Sequence, residues 1–451
     1  MPSSHFNVVF RSKSGCLAAG LAVLACSLLG HVGVSGAEPR FGDSTWVAPT
    51  AVPEGDPTAD GPRVARPDHE RVWEKALRTP FRIAFLPLRA VARGAEAGVG
   101  IIGDRVMTPK PKGPATKGLR VAPEIDVGSV TEVGGGPAIT WAGFPYGDSK
   151  LRIAASWSTT DRRRARLTEL IGDRKPVGFR IRADYDYRPD LRFYGIGNAT
   201  PSSDRSIFLL EKTTAEASLL FGSWSLRQLR LVGGYSSMAP FRGYGGTPRL
   251  EAIFPPGSLP FQVESTRELL YGVTGDFATL DNARDPAIGL HGRAEWRRAS
   301  GVRGSDPDYN QWQLEGRAYA PVFAKRRVIA LRGVYAGIDP IGTTTTIPFY
   351  RLVESDATLR FAGYPSHRFR DRQLLLGRVE YRWEVWRSVR AVGLYEVGEV
   401  APEASAFTAR ALRWTYGGGF RYGLTDESAL RLEVAKSAEG IQATLTMQST
   451  Y

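Results

Sequence analysis

The chain has 451 residues, 42% hydrophobic and 23% charged, with 50 glycines and 30 prolines, which excludes a wholly disordered polypeptide. That length admits two or three soluble domains or one large β-structure. The formal charge of +13 raises nucleic acid as a partner, a class that the N-terminus argues against.

Arg11 and Lys13 precede the apolar stretch CLAAGLAVLACSLLGHVGV, which runs into Ser35-Gly36-Ala37. A basic flank, a short apolar core and small residues at the end predict a secretory signal peptide over 1–37, cleaved after Ala37. A lipoprotein reading would use Val23-Leu24-Ala25-Cys26, but Leu24 stands where a small residue is usual. Both cysteines, Cys16 and Cys26, fall in the segment removed, so the exported protein is held by its core and its hydrogen bonds rather than by disulfides. An exported chain rarely meets nucleic acid. Its charge, +11 once Arg11 and Lys13 are gone, fits an anionic membrane surface or a plain solvated one.

Residues 38–66 are rich in Pro, Gly, Asp and Ala and read as a linker. DHERVWEKALRT (68–79) predicts a helix with Asp68 as N-cap, and Pro80 and Pro87 interrupt the apolar stretch after it. The mixture of arginine and apolar residues in that stretch suits an interfacial helix, or equally a helix packed on the rest of the protein. TPKPKGPATKG (108–118) is a second linker, so 38–117 is expected to be a periplasmic linker with a short interfacial helix. No apolar run of about 18 residues comes after the N-terminal segment, so no transmembrane helix is predicted there.

From about residue 118 the hydrophobic period becomes two. In VGFRIRADYDY, Val177, Phe179, Ile181, Ala183, Tyr185 and Tyr187 share one face, while Arg180, Arg182, Asp184 and Asp186 share the other. LLGRVEYRWEV (375–385) and IQATLTMQSTY (441–451) alternate likewise, and turn-rich segments such as YGGTPR, DNARDP and GSDPDYN separate the runs. The length from 118 to 451 has room for about 16 membrane-spanning strands.

Alternation alone does not say which face is dry: a sandwich buries its apolar face, whereas a membrane barrel turns it to lipid. Runs of about ten residues exceed ordinary sandwich strands of about five or six. The charged faces mix both signs, as a lumen wall would. The last run ends on Tyr451, with Met447, Leu445 and Ile441 at even steps before it. The fold class expected is therefore an all-β, antiparallel transmembrane barrel over 118–451.

TLRFAGYPSHRFRDRQLLLGRVEYRWEVW (358–386) resembles the sixth-loop signature of the bacterial surface antigen superfamily, the BamA- and TamA-like outer-membrane assembly and translocation barrels. FYGIGN (193–198), GLYEVGEV (393–400) and GGGFRYG (417–423) fit the same pattern. The resemblance implies sixteen strands and a loop folded into the lumen, where an arginine meets carboxylates on the wall. Here Ala362 stands in the family's arginine position, before Gly363. The loop candidates are therefore Arg360, Gly363 for a tight turn, Tyr364 as tip anchor, Arg368, Arg370 and Asp371. Arg368 or Arg370 is expected to pair with Glu380 or Glu396, because a guanidinium offers a fixed fork of donors. Residues 38–117 lack the alternation of POTRA modules, which makes this a short, POTRA-less member by resemblance.

No G-x-S-x-G accompanies Ser202, Ser203, Ser236 or Ser237, and the histidines after the expected signal peptide, His69, His291 and His367, are scattered. Neither an enzyme nor a metal or cofactor site is predicted. Two functions stay open. One is insertion or translocation of proteins or lipids at the outer membrane of a Gram-negative type of cell. There a weakly closed seam between about 118–130 and Ile441–Tyr451 would offer an edge to substrate. The other is a passive pore or structural barrel plugged by 360–372. The expected partners are outer-membrane lipid and nascent outer-membrane polypeptides, with a monomeric barrel.

Overall fold

The computed structural model describes residues 118–449 except 130–131, 173–174, 223–226, 246, 283–284, 323–326, 357–358, 360, 387–388 and 426–427. The expected signal peptide, linkers and interfacial helix over 1–117 thus lie outside the described residues, as do Arg360 and Tyr451.

From Gly118 the chain runs as strands: β1 (Gly118–Ser129), β2 (Glu132–Ala142), β3 (Ser149–Ser158), β4 (Arg163–Ile171), β5 (Val177–Phe193) and β6 (Ser206–Phe221). Next come β7 (Arg227–Arg242), β8 (Thr266–Ala278), β9 (Gly289–Gly301), β10 (Tyr309–Pro321), β11 (Arg327–Pro340), and the short β12 (Val353–Glu354) and β13 (Arg370–Asp371). The last are β14 (Gln373–Trp386), β15 (Val389–Ala401), β16 (Arg413–Thr425), β17 (Ser428–Ser437) and β18 (Gly440–Ser449). All but β12 and β13 form one 16-stranded antiparallel sheet in chain order. Its shortest strand, β4, has 9 residues and its longest, β5, has 17, against the 9–11 or so that cross a membrane when tilted. No described helix is long and apolar enough to do so.

The alternation read in the sequence becomes two chemically opposite faces. On β11, Ile329 and Leu331 are exposed, whereas Val328, Ala330, Val334, Ala336 and Ile338 are buried. On β14, Leu375, Val379 and Tyr381 are exposed, whereas Glu380 and Arg382 are buried. Leu119, Trp141, Trp157, Leu231, Leu290, Leu314 and Val434 continue the exposed apolar surface around the sheet. Water would penalise so extensive an apolar exterior. Carboxylates and guanidiniums instead meet inside: Arg297 on β9 reaches Glu216 on β6 at 2.7 Å. This is the barrel arrangement and not that of a sandwich.

The sheet curls far enough to bring distant connections together. Asn198, between β5 and β6, donates to the Ala411 carbonyl between β15 and β16 at 2.6 Å. The edge strands β1 and β18 also come within 8 Å by their Cα atoms. Among the described residues no hydrogen-bonded register joins them. Long connections (194–205, 243–265, 341–372) leave one end of the sheet, while the turns at the other end are shorter, the asymmetry that outer-membrane barrels show.

Candidate functional site: the inward loop and its wall

The connection 341–372 packs on the inner face of the sheet, and aromatic burial is the main reason. Phe361, Tyr364 and Phe369 form one apolar cluster with Val334, Ile338, Leu374, Leu376 and Val400. Their rings meet edge-on, with centroids 4.9 Å apart for Tyr364 and Phe369 and 5.6 Å for Phe361 and Phe369, the geometry that ring quadrupoles favour. A second cluster sets Phe349 and Tyr350 against Leu191, Phe193, Phe208 and Met238. The backbone is pinned as well: the β12 residues Val353 and Glu354 pair with Asp371 and Arg370 of β13. Gly197 N–H donates to the Arg370 carbonyl at 2.8 Å.

The arginines have partners other than those expected. Arg368, 2% exposed, sends its guanidinium to Glu439 in the β17–β18 turn at 2.6 Å. It also donates to Thr200 Oγ1 at 2.9 Å and lies over the Tyr194 and Phe369 rings. Arg370 pairs with Glu354 and donates to the Phe349 carbonyl at 3.0 Å. The expected pairing of Arg368 or Arg370 with Glu380 or Glu396 is therefore corrected: both arginines find carboxylates contributed by a loop and a turn. Burial opposes charge on Glu354, but Arg370 and His367 more than offset it and hold this carboxyl well below its usual range. Asp371 is buried and accepts the Arg372 N–H at 2.8 Å; burial pushes its carboxyl up.

Glu396 does meet the loop, through an atom that sequence reasoning missed. Its Oε2 accepts the Ala362 backbone N–H at 2.6 Å and the Thr415 hydroxyl at 3.1 Å, and Oε1 accepts Arg378 at 2.7 Å. Ala362 itself packs with Leu394 and Ala435 in a small buried cluster. The positive charge comes from the wall. Arg378 on β14 also reaches Glu380 and Glu433, each at 2.6 Å. Glu380 is further held by Arg382, Arg421 and Arg431 at 2.9, 2.7 and 3.0 Å. Strand register explains the convergence: Arg378 lies directly opposite Glu396, and Glu396 opposite Thr415.

Gly363 does sit in a tight turn, closed by the Tyr364 N–H donating to the Phe361 carbonyl at 3.1 Å. The Gly363 φ is outside the left-handed region, which His367 occupies at 65°. Gly363 is needed for space, since a Cβ would stand 2.9 Å from Thr415 Cγ2 and 3.0 Å from Ser437 Cβ. Gly363→Val is expected to lift this part of the loop and destabilise its docked state by roughly 1–3 kcal/mol, the usual range for overpacking. Faster hydrogen exchange at the Ala362 amide, with unchanged exchange in the strands, would report it. Of the expected seam residues, Ile441 is exposed, Leu445 pairs with Leu432, and Met447 lies in β18 opposite Leu430.

The geometry defines a class: a 16-stranded barrel-type sheet with an apolar exterior, a charged interior and one connection folded inward. Among solved structures, BamA from Haemophilus ducreyi lacking POTRA domains 1–3 matches with a TM-score of 0.56 at 14% identity, over 74% of this chain and 70% of that one. CdiB from Acinetobacter baumannii gives 0.46 at 11% identity, over 74% of this chain and 60% of that one. The fold is thus that of a BamA-like barrel, and at such identities the likeness concerns the fold alone. No family model matches the chain, and neither does any curated protein.

Proposed function

We propose that the protein is an outer-membrane barrel that assists insertion or translocation of polypeptides at the membrane, acting through the seam between β1 and β18. The observation that carries the reading is that these two strands approach one another without a register among the described residues. A strand edge with free N–H and C=O groups is a template for another chain, and in hydrocarbon those groups demand a partner. A nascent strand could pair there by β-augmentation. The apolar exterior supports residence in a bilayer, and the BamA-like fold supports the bacterial outer membrane.

A second reading, a passive pore or structural barrel closed by 341–372, draws on how thoroughly that connection is pinned. One experiment separates the two. Cysteine pairs placed between Gly118–Ser129 and Gly440–Ser449 are oxidised in the full-length protein, which is reconstituted into vesicles beside an unfolded outer-membrane barrel. The rate at which that substrate folds into the bilayer is then measured. Locking is expected to abolish the acceleration and reduction to restore it. Full activity in the locked protein would leave the passive reading.

A further inference from the structure

A second inner-wall feature lies apart from the Glu380 and Glu396 cluster. Residues of strands β4 to β10 and the loop residue Arg351 line a concave, partly open cavity of about 450 Å3. Seven of its lining side chains are cationic and four are carboxylates. Those four carboxylates are already engaged. Asp184 accepts Arg166 at 2.7 Å, and Asp186 accepts Arg162 at 3.1 Å and Arg188 at 2.8 Å. Glu216 accepts Arg297 at 2.7 Å, and Glu295 accepts Arg293 at 2.9 Å.

Lys212 is the side chain left over. It faces Asp186 across the β5–β6 ladder, whose carboxylate the arginines already occupy. No hydrogen bond or ion pair is formed by Lys212 among the described residues. Arg351, at the loop side of the cavity, is tied to Glu268 and to Ser236 Oγ at 2.9 Å. The cation excess continues along the same inner faces, where Arg180 lies opposite Ser218 and Arg230 opposite Thr274 rather than opposite carboxylates.

We infer that this cavity is a binding site for a small multivalent oxyanion, a soluble phosphate- or pyrophosphate-bearing solute, received by Lys212. The reasons are chemical. A surplus of guanidinium and ammonium groups in a concave, partly desolvated wall raises the local concentration of anions. Charge-assisted donors in fixed positions favour oxygens with several lone pairs. A volume of about 450 Å3 is within the range of small-molecule sites. The position favours a solute over a lipid headgroup, because the lining side chains belong to the inner face and the apolar face is the outer one.

The test is calorimetric titration of sodium pyrophosphate into the full-length protein in detergent, at low and at moderate salt. One saturable site is expected, weakened by salt, weakened about tenfold further by Lys212→Gln, the loss of one good ion pair, and retained in Lys212→Arg. Lys150→Gln, at an exposed position on β3, should leave it unchanged. Should the glutamine variant not fold, wild-type protein is treated with acetic anhydride with and without pyrophosphate, and acetylation of Lys212 is read by mass spectrometry. Protection of Lys212 supports the site. Absence of saturable binding, equal affinity in Lys212→Gln, no protection, or binding of an oligoglutamate peptide but not of pyrophosphate would each overturn it.

Discussion

Replacing Arg378 by methionine is expected to lower the stability of the barrel by roughly 3–5 kcal/mol, the range for stripping one partner from a buried ionic network. The guanidinium is 9% exposed and faces Glu380, Glu396 and Glu433, whose side chains are 6%, 0% and 10% exposed. Glu380 keeps three other arginines, but Glu396 keeps only a hydroxyl and a backbone N–H as donors. The variant therefore leaves Glu396 as the most exposed to uncompensated burial of its charge. Unfolding in urea, monitored by the loss of heat-modifiable migration, measures the effect. Adding Glu396→Gln should recover part of the loss, and the coupling between the two positions is the quantity a double-mutant cycle isolates. A strictly additive pair would mean that Arg378 acts through Glu433 or Glu380 instead.

Arg368→Ala should act differently, releasing the loop while sparing the strands. Arg368 ties the loop to Glu439 and Thr200 and rests on Tyr194 and Phe369. Its loss removes the ion pair to Glu439, the hydrogen bonds to Thr200 and two ring contacts, together roughly 3 kcal/mol of docking. The Phe369 amide, bonded to Ser355 Oγ at 3.0 Å, and the His367 amide, bonded to the Ser355 carbonyl at 2.8 Å, should then exchange faster by about a hundredfold. Amides of β14 should not. Arg368→Lys should rescue little, because an ammonium cannot span Glu439 and Thr200 with one fork. Unchanged exchange at both amides would show that the aromatic cluster alone holds the loop.

Strand positions were largely legible in the sequence, because a period of two is a local property that residues 375–385 display without reference to any other strand. Which face is outside was legible too, from the density of charge opposite the apolar face. The ion pairs were not. Arg368 meets Glu439 across 71 residues, and Glu439 reads in the sequence only as part of a turn, between Ala438 and Gly440. Arg378 gave no local sign of special importance, since Arg382 shares its face and type. Its role depends on β14, β15 and β17 holding a register that also includes the irregularity between Glu384 and Trp386. The aromatic cluster was half visible: Tyr364 read as an anchor, but the apolar wall that receives it comes from Val334, Ile338 and Leu376, residues that look like ordinary strand positions.

The bond from Ala362 to Glu396 has a consequence for how this molecule tolerates change. A donor that is part of the peptide unit belongs to every residue except proline, so no substitution at 362 other than proline removes the donor itself. Substitutions there are filtered by volume against Leu394 and Ala435, not by charge. The specificity has migrated to the acceptor, and position 396 carries information that a comparison centred on the loop would seek at 362. Lineages of this barrel could therefore drift at the loop position while keeping the same hold on the wall.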